Sequence, residues 1–107
     1  MSQLLISTTE KVSGREVTEV LGVVKGNTIR ARHIGSDIGA GLKSLVGGEI
    51  RGYVKALSDA REEAINRMVE DAKALGADAV VGVRFSTSAV MAGAAEILVY
   101  GTAVKLS

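Results

Sequence analysis

The densest cluster of side chains that could bind a ligand is a basic one in the first half of the chain. Arg30, Arg32 and His33 stand close together, and Asp37 follows at the start of a predicted helix. Alternating arginines on an extended segment share one face, where they could bind a phosphate or carboxylate, and a helix N-terminus also favours an anion. Alternatively, these residues form a solvated edge or pair with acids such as Asp37 or Glu49 across subunits. Arg30, Arg32, His33 and Asp37 are the candidate ligand site.

Metal binding by a single copy of the chain is not expected. The sequence contains no Cys and one His, whereas zinc sites use three or four Cys, His or carboxylate ligands and soft metals prefer thiolates. A symmetric assembly changes this count, because a residue near a rotation axis is repeated once in every subunit. Only then could His33, Asp37, Glu49 or Met91 form a site for a divalent metal ion; otherwise the cofactor is unknown.

Other patterns associated with catalysis or nucleotide binding are incomplete. The adjacent carboxylates of residues 62–63 and 70–71 point about 100° apart on a helix, so neither pair converges on one atom as an acid–base pair must. Leu42 separates Gly41 from Lys43, which breaks the Gly-Lys-Ser/Thr order of a phosphate loop. The sequence also lacks a Gly-x-Ser-x-Gly elbow. A single chain therefore offers no recognisable catalytic site.

A catalytic alternative is a composite site shared between two subunits. In this alternative Tyr53, Glu49 or His33 of one copy meets Arg84 or Glu96 of the next. The leading expectation is a non-enzymatic protein, and an enzyme with an interface site is the alternative.

Length and charge narrow the possible functions further. The chain has 107 residues and a formal net charge of +1, which predicts one domain over residues 1–107 with a single core. A nearly neutral chain provides no field that would attract nucleic acid or an anionic membrane surface. Because the sequence lacks both Cys and a long apolar run, we expect a cytoplasmic protein without a membrane span.

Hydrophobic periodicity predicts strands at both ends of the chain and helices between them. The predicted strands are residues 4–7, 16–25, 79–85 and 96–104, with a turn at Gly26 and Asn27 and an extended continuation over residues 27–33. The predicted helices are a short one over residues 36–46 and a long one that begins between Glu49 and Tyr53 and ends at Leu75, before Gly76. Residues 86–93 are predicted as a hairpin loop or a frayed strand end.

This order of elements predicts an α+β fold, with a mainly antiparallel sheet that carries one long and one short helix on one face. The strands are unusual because both faces are apolar, whereas a sheet with one wet face alternates apolar and polar residues. The predicted face pairs are Ile97, Val99 and Ala103 against Leu98, Tyr100 and Val104; Val81, Val83 and Phe85 against Val80, Gly82 and Arg84; and Val17, Leu21 and Val23 against Val20, Gly22 and Val24.

Two helices in so short a chain can cover only one face of this sheet. We therefore predict that another copy of the chain covers the second face, since contiguous exposed apolar surface marks interfaces. The alternative is a monomer with a partly exposed face that is rich in Ala and Gly, because ordinary protein surfaces are largely apolar too.

Five segments together form a specific combination that covers nearly the whole chain. They are Arg30-Ala-Arg32-His-Ile-Gly35-Ser-Asp37-Ile-Gly-Ala-Gly41-Leu, Val46-Gly-Gly-Glu49, Ala60-Arg-Glu-Glu-Ala64, Leu75-Gly-Ala-Asp-Ala-Val-Val-Gly-Val-Arg84-Phe85 and Tyr100-Gly-Thr-Ala-Val104. This combination resembles the YbjQ-like family of small bacterial and archaeal proteins.

The resemblance implies a dodecin-like subunit that assembles into a ring, namely a homopentamer. The family carries a heavy-metal-binding label, but the resemblance supplies no catalytic or ligand residues. The expected protein is thus a cytoplasmic homo-oligomer that binds a small ligand or metal ion, or serves as a scaffold, with itself as partner.

Overall fold

The computed structural model describes residues 4–30, 49–91 and 94–107. Within these ranges the elements are strand β1 (Leu5–Ile6), strand β2 (Val17–Arg30), helix α1 (Glu49–Ala74), strand β3 (Ala79–Met91) and strand β4 (Ala94–Leu106). The short helix predicted over residues 36–46 lies outside the described residues. The long helix, the three long strands and the short N-terminal strand are confirmed.

The strands form one four-stranded sheet in the order β1-β3-β4-β2. The pair β1 and β3 is parallel, whereas β4 pairs antiparallel with both β2 and β3. The predicted α+β fold with a mainly antiparallel sheet is therefore confirmed. In this order β2 forms one edge of the sheet, and β1 covers only a short part of the other.

Two predicted interruptions of the strands are wrong. Strand β2 runs through Gly26 and Asn27 without a turn, because both residues pair with β4. Strand β3 continues through Ser86 to Met91 and pairs with β4 along that stretch, so of the two alternatives for residues 86–93 the hairpin loop is wrong, and the segment is strand up to Met91. Local turn propensity favoured a loop for Ser86, Thr87 and Ser88, but such residues are also compatible with a strand that is paired with a neighbour.

Helix α1 packs on one face of the sheet through a stripe of small and medium side chains. Ala60, Ala64, Met68 and Ala72 are fully buried at helical spacing, as the periodicity predicted. They contact a cluster from β2, β3 and β4 that consists of Val24, Val80, Val83, Ile97, Val99 and Ala103. This cluster is the main core of the protein.

The closest approach between helix and sheet occurs at Gly26. A Cβ atom at that position would lie 2.5 Å from the backbone nitrogen of Met68 and still closer to the carbonyl oxygen of Ala64. Next to it, the buried hydroxyl of Thr28 donates to the carbonyl of Ala60 at 3.2 Å. Gly26 is therefore required for helix packing and not for a turn.

A β-bulge in β3 changes which residues share a face. The register with β4 shifts between Val81 and Arg84, where Gly82 has a φ of 62°. As a result Val80 and Val83 both face the helix, while Val81 joins a second cluster. The prediction that Val81 and Val83 share a face is wrong, because the extra residue of a bulge reverses the alternation.

A second bulge has the same effect in β2. The register shifts between Val20 and Gly22, and Gly22 has a φ of 138°. Consequently Val24 faces the helix, whereas Val20 and Val23 are exposed. The prediction that Val20 and Val24 share a face is therefore wrong. In β4, Ile97, Val99 and Ala103 do belong together in the main core, as predicted.

The chain itself covers part of the sheet face opposite α1, which we call the outer face. Val12 packs against a small cluster at one end of that face, formed by Ala79, Val81, Val104 and Leu106. Close by, Arg84 Nη1 donates to the carbonyl of Thr8 at 2.9 Å. The expectation that the chain retains nothing to cover the second face is thus wrong for this end, where the N-terminal segment supplies the cover.

The end of α1 provides a first testable prediction. Gly76 follows the helix with a φ of 75°, in the left-handed region that terminates many helices. Replacing Gly76 with alanine is expected to lower the free energy of unfolding by about 1 kcal/mol, because a Cβ atom disfavours this conformation. Urea denaturation followed by circular dichroism measures the loss. Gly76→Asn should cost less, since asparagine tolerates the conformation; an equal loss for both variants would contradict the explanation.

Candidate functional site

The predicted ligand residues lie around the connection between β2 and α1. Arg30 is the last residue of β2 and pairs with Ala95, and Glu49 is the first residue of α1. Arg32, His33 and Asp37 lie outside the described residues. Whether these groups converge stays a prediction.

The described residues of the composite-site alternative lie in three different elements, and His33 lies outside the described residues. Tyr53 belongs to α1, whereas Arg84 and Glu96 lie in β3 and β4. Arg84 Nη1 donates to two backbone carbonyls, and Glu96 Oε2 accepts a hydrogen bond from Asn27 Nδ2 at 3.1 Å. Both side chains already have partners within the chain, so nothing in the described residues favours catalysis over binding.

The sequence predicted a second apolar face of the sheet, and part of the outer face is exposed in the structure. There β2 exposes 65% of Val20, 73% of Val23 and 56% of Ile29. Leu98 and Tyr100 of β4 lie beside them on the same face. They pair with Asn27 and Lys25, which stand between Val23 and Ile29 on the outer face of β2. We call Val20, Val23, Ile29, Leu98 and Tyr100 the bare patch.

Polar side chains cross the bare patch in rows set by the strand register. One row places Lys25 opposite Tyr100 and Tyr100 opposite Arg84. The next places Asn27 opposite Leu98, with the carboxylate of Glu96 held by Asn27. A surface with apolar ridges, two cations and a bound carboxylate is typical of an interface with a polar component.

The described residues do not fit a heavy-metal centre. Nowhere in residues 4–30, 49–91 and 94–107 do three or more His, Cys, Asp or Glu side chains gather as possible ligands. Two carboxylates near β2 already accept hydrogen bonds, Glu96 from Asn27 and Asp71 from the backbone of Lys25. With no thiolate in the whole sequence, the donor set is also poor for a soft metal.

No helix in the described part of the chain is long and apolar enough to cross a bilayer. Helix α1 has enough residues, but charged side chains alternate with its buried stripe.

The described residues form a small α+β fold, in which one long helix packs on one side of a four-stranded sheet. An exposed apolar patch lies on the other side. The same fold occurs in the crystal structure of a protein of unknown function from Pediococcus pentosaceus, assigned to the DUF74 family. The TM-score is 0.62 with 15% sequence identity, over 97% of this chain and 98% of that one.

Sequence comparison identifies the family. The family model described as "Putative heavy-metal-binding" matches residues 4–107, and the chain belongs to this YbjQ-like family. Proteins named UPF0145 are similar over nearly their whole length. One from Archaeoglobus fulgidus is 65% identical over 97% of this chain and 96% of the relative. Another from Colwellia psychrerythraea is 61% identical over 96% of this chain and 98% of the relative.

Proposed function

We propose that this protein is a non-enzymatic subunit of a homo-oligomer in which neighbouring copies cover the bare patch. The observation that supports the proposal is the exposure of Val20, Val23 and Ile29 on one sheet face, since contiguous exposed apolar surface marks interfaces. The occupant is a second copy, because the family resemblance implies a ring of identical subunits.

The assembly we propose is a cytoplasmic ring of five copies, the number that the family resemblance implies. A ring repeats each residue near its axis once per subunit. Arg30, Arg32, His33 and Asp37 would therefore form a repeated polar site for a small anionic ligand at the subunit boundaries. If the ligand is a divalent cation, the repeated residues that would hold it are His33, Asp37 and Glu49.

The mass of the native protein tests the assembly directly. Size-exclusion chromatography with light scattering should give a mass near five times the subunit mass of 11.1 kDa. Native mass spectrometry of the freshly purified protein adds the stoichiometry of any retained small molecule, and elemental analysis of the same sample adds the metal content. A mass near 11.1 kDa at micromolar concentration would contradict the proposal.

A charge placed in the bare patch should dissociate the oligomer. In Val23→Lys the side chain that is 73% exposed in the single chain becomes a cation beside Lys25, and each copy would carry that cation into the interface. We expect the mass measured by light scattering to fall towards that of one subunit.

The matched control is Leu75→Lys, which places the same charge at a side chain that is 46% exposed but lies at the end of α1. A cation near a helix C-terminus is favourable, so this variant should stay assembled. If Val23→Lys keeps the full mass as well, the bare patch is not the interface.

A further inference from the structure

The two edges of the sheet differ in how their backbone groups are satisfied. On the edge formed by β2, the N–H of Lys25 donates to Asp71 Oδ2 at 3.3 Å, and the carbonyl of Asn27 accepts from Arg67 Nη1 at 2.6 Å. Both side chains come from α1. The middle of this edge is therefore occupied by the protein's own helix, which blocks the addition of another strand there.

The edge formed by β3 is satisfied only in its first half. Strand β1 pairs with residues 79–80, and the carbonyls of Ser7 and Thr9 accept from the N–H groups of Val83 and Gly82. From Arg84 to Met91 no strand of the described residues lies on that side, since the sheet order places only β1 beyond β3.

The ladder fixes which backbone groups this edge presents. Lys25 and Asn27 direct their backbone away from β4, so their partners Tyr100 and Leu98 direct theirs towards β3. Arg84 and Ser86, which pair with those two residues, therefore bond to β4.

By alternation, Phe85, Thr87 and Ala89 direct their N–H and carbonyl groups outwards, away from β4. The outward N–H of Val83, which donates to Ser7 at 3.0 Å, independently gives the same phase. The edge thus presents a regular row of donors and acceptors over residues 85–89.

The composition of this edge leaves it open to strand pairing. Residues 85–91 read Phe-Ser-Thr-Ser-Ala-Val-Met, without the Lys, Glu or Pro that protect natural edges. Helix α1 packs mainly over β2 and β4 and scarcely touches β3, and Phe85 remains 48% exposed. Both the backbone and the side chains of residues 85–89 therefore lack cover from the described elements.

We infer that a second copy of the chain adds a strand to the β3 edge at residues 85–89, using the outward backbone groups of Phe85, Thr87 and Ala89. This inference rests on the proposed oligomer and names its contact. Edge pairing extends the sheet in its own plane, so all helices lie on one side of the joined sheet and all bare patches on the other. When the ring closes, the bare patches face its interior, where the copies cover one another's patches as proposed above. A five-membered ring has no two-fold axis, so the added strand comes from a different segment of the neighbour than β3 itself.

Amide-resolved hydrogen exchange by NMR on the assembled protein tests the contact without changing the sequence. In the oligomer the N–H groups of Phe85, Thr87 and Ala89 should exchange as slowly as those of Ser86 and Ser88, which bond to β4. In the dissociated chain, obtained by dilution or with Val23→Lys, the first three should exchange at least about tenfold faster than the other two, because an unpaired amide loses its protection.

Two results would overturn the edge contact. Fast exchange at Phe85, Thr87 and Ala89 in the intact oligomer would show that the oligomer forms without strand pairing at the β3 edge. Slow exchange at all three in the dissociated chain would show that the chain covers its own edge. A chain that is monomeric at every concentration would instead contradict the proposed oligomer, and light scattering separates that case.

A pair of variants provides a second readout. Thr87→Pro removes one outward N–H while leaving the ladder to β4 intact, as proline tolerates an edge position. We expect its dissociation constant for assembly to rise by at least about tenfold, the factor equivalent to roughly one lost hydrogen bond. Thr87→Val keeps the N–H and the branched side chain, so its dissociation constant should stay near that of the parent protein. Equal constants for both variants would count against pairing at this edge.

Discussion

Replacing Gly26 with alanine is expected to lower the free energy of unfolding by about 3 kcal/mol, at the upper end of what an added methyl group costs in a packed core. The methyl group would meet the carbonyl oxygen of Ala64 and the backbone nitrogen of Met68. Neither atom belongs to a flexible side chain, so α1 must move away from β2 as a whole. Such a loss is a large share of the total stability of a small domain.

Urea denaturation at a fixed protein concentration, followed by circular dichroism, measures this loss. The matched control is Gly82→Ala in the bulge of β3. There a Cβ atom would meet nothing within 4 Å, but the φ of 62° disfavours alanine, which costs about 1 to 2 kcal/mol. Gly26 is not among the glycines with a positive φ, so its cost should come from the helix contact. If Gly26→Ala proves no more destabilising than Gly82→Ala, the contact with α1 is not as tight as described.

Truncation of Met68 is the second change with a large expected effect. Met68 is fully buried and is the largest fully buried side chain of the core. It lies at the centre of the α1 stripe, between Ala64 and Ala72, whose short side chains cannot fill the space that it leaves. Met68→Ala is expected to lower the free energy of unfolding by about 3 kcal/mol, through lost burial and the cavity that remains.

The control for this truncation is Leu75→Ala at the end of the same helix. Leu75 is 46% exposed, so its truncation should cost less than about 1 kcal/mol. Both values come from the urea midpoint and slope of the same denaturation experiment. Similar losses for the two variants would mean that the described core is not the main source of stability.

Gly26→Ala also bears on the proposed assembly. Arg67 and Asp71 occupy the edge of β2 only as long as α1 stays close to the sheet. A helix displaced by Gly26→Ala would withdraw both side chains and open a second edge to pairing. We expect that variant to lose a defined oligomer mass by light scattering and to form larger species.

The sequence predicted the elements whose signals are local. The stripe of Ala60, Ala64, Met68 and Ala72 at helical spacing identified α1, and Gly76 marked its end, where the φ is 75°. Glu63 and Arg67 stand at i,i+4 spacing on the same helix and form an ion pair at 2.5 Å. These features depend on contacts within one or two turns of helix, which the order of residues fixes by itself.

Glycine showed the limit of local reasoning most clearly. Gly26 was interpreted as a turn signal, but it lies in the middle of β2. A larger residue does not fit there because helix α1, which is distant in sequence, packs directly against it. Gly22 and Gly82 looked like ordinary strand residues, but both lie at register shifts. Each bulge reverses the alternation that follows it, so the faces assigned from strict period-two counting were wrong beyond those points.

The amino-acid sequence determined the family, the α+β composition, the long helix and the presence of apolar residues on both sheet faces, since these follow from residue types and short-range periodicity. Only the tertiary structure decided which apolar residues remain exposed. The N-terminal segment covers one end of the outer face through Val12, and α1 occupies the edge of β2 through Arg67 and Asp71. Both coverings join residues far apart in the chain, and long-range packing of this kind leaves no periodic signal in the sequence.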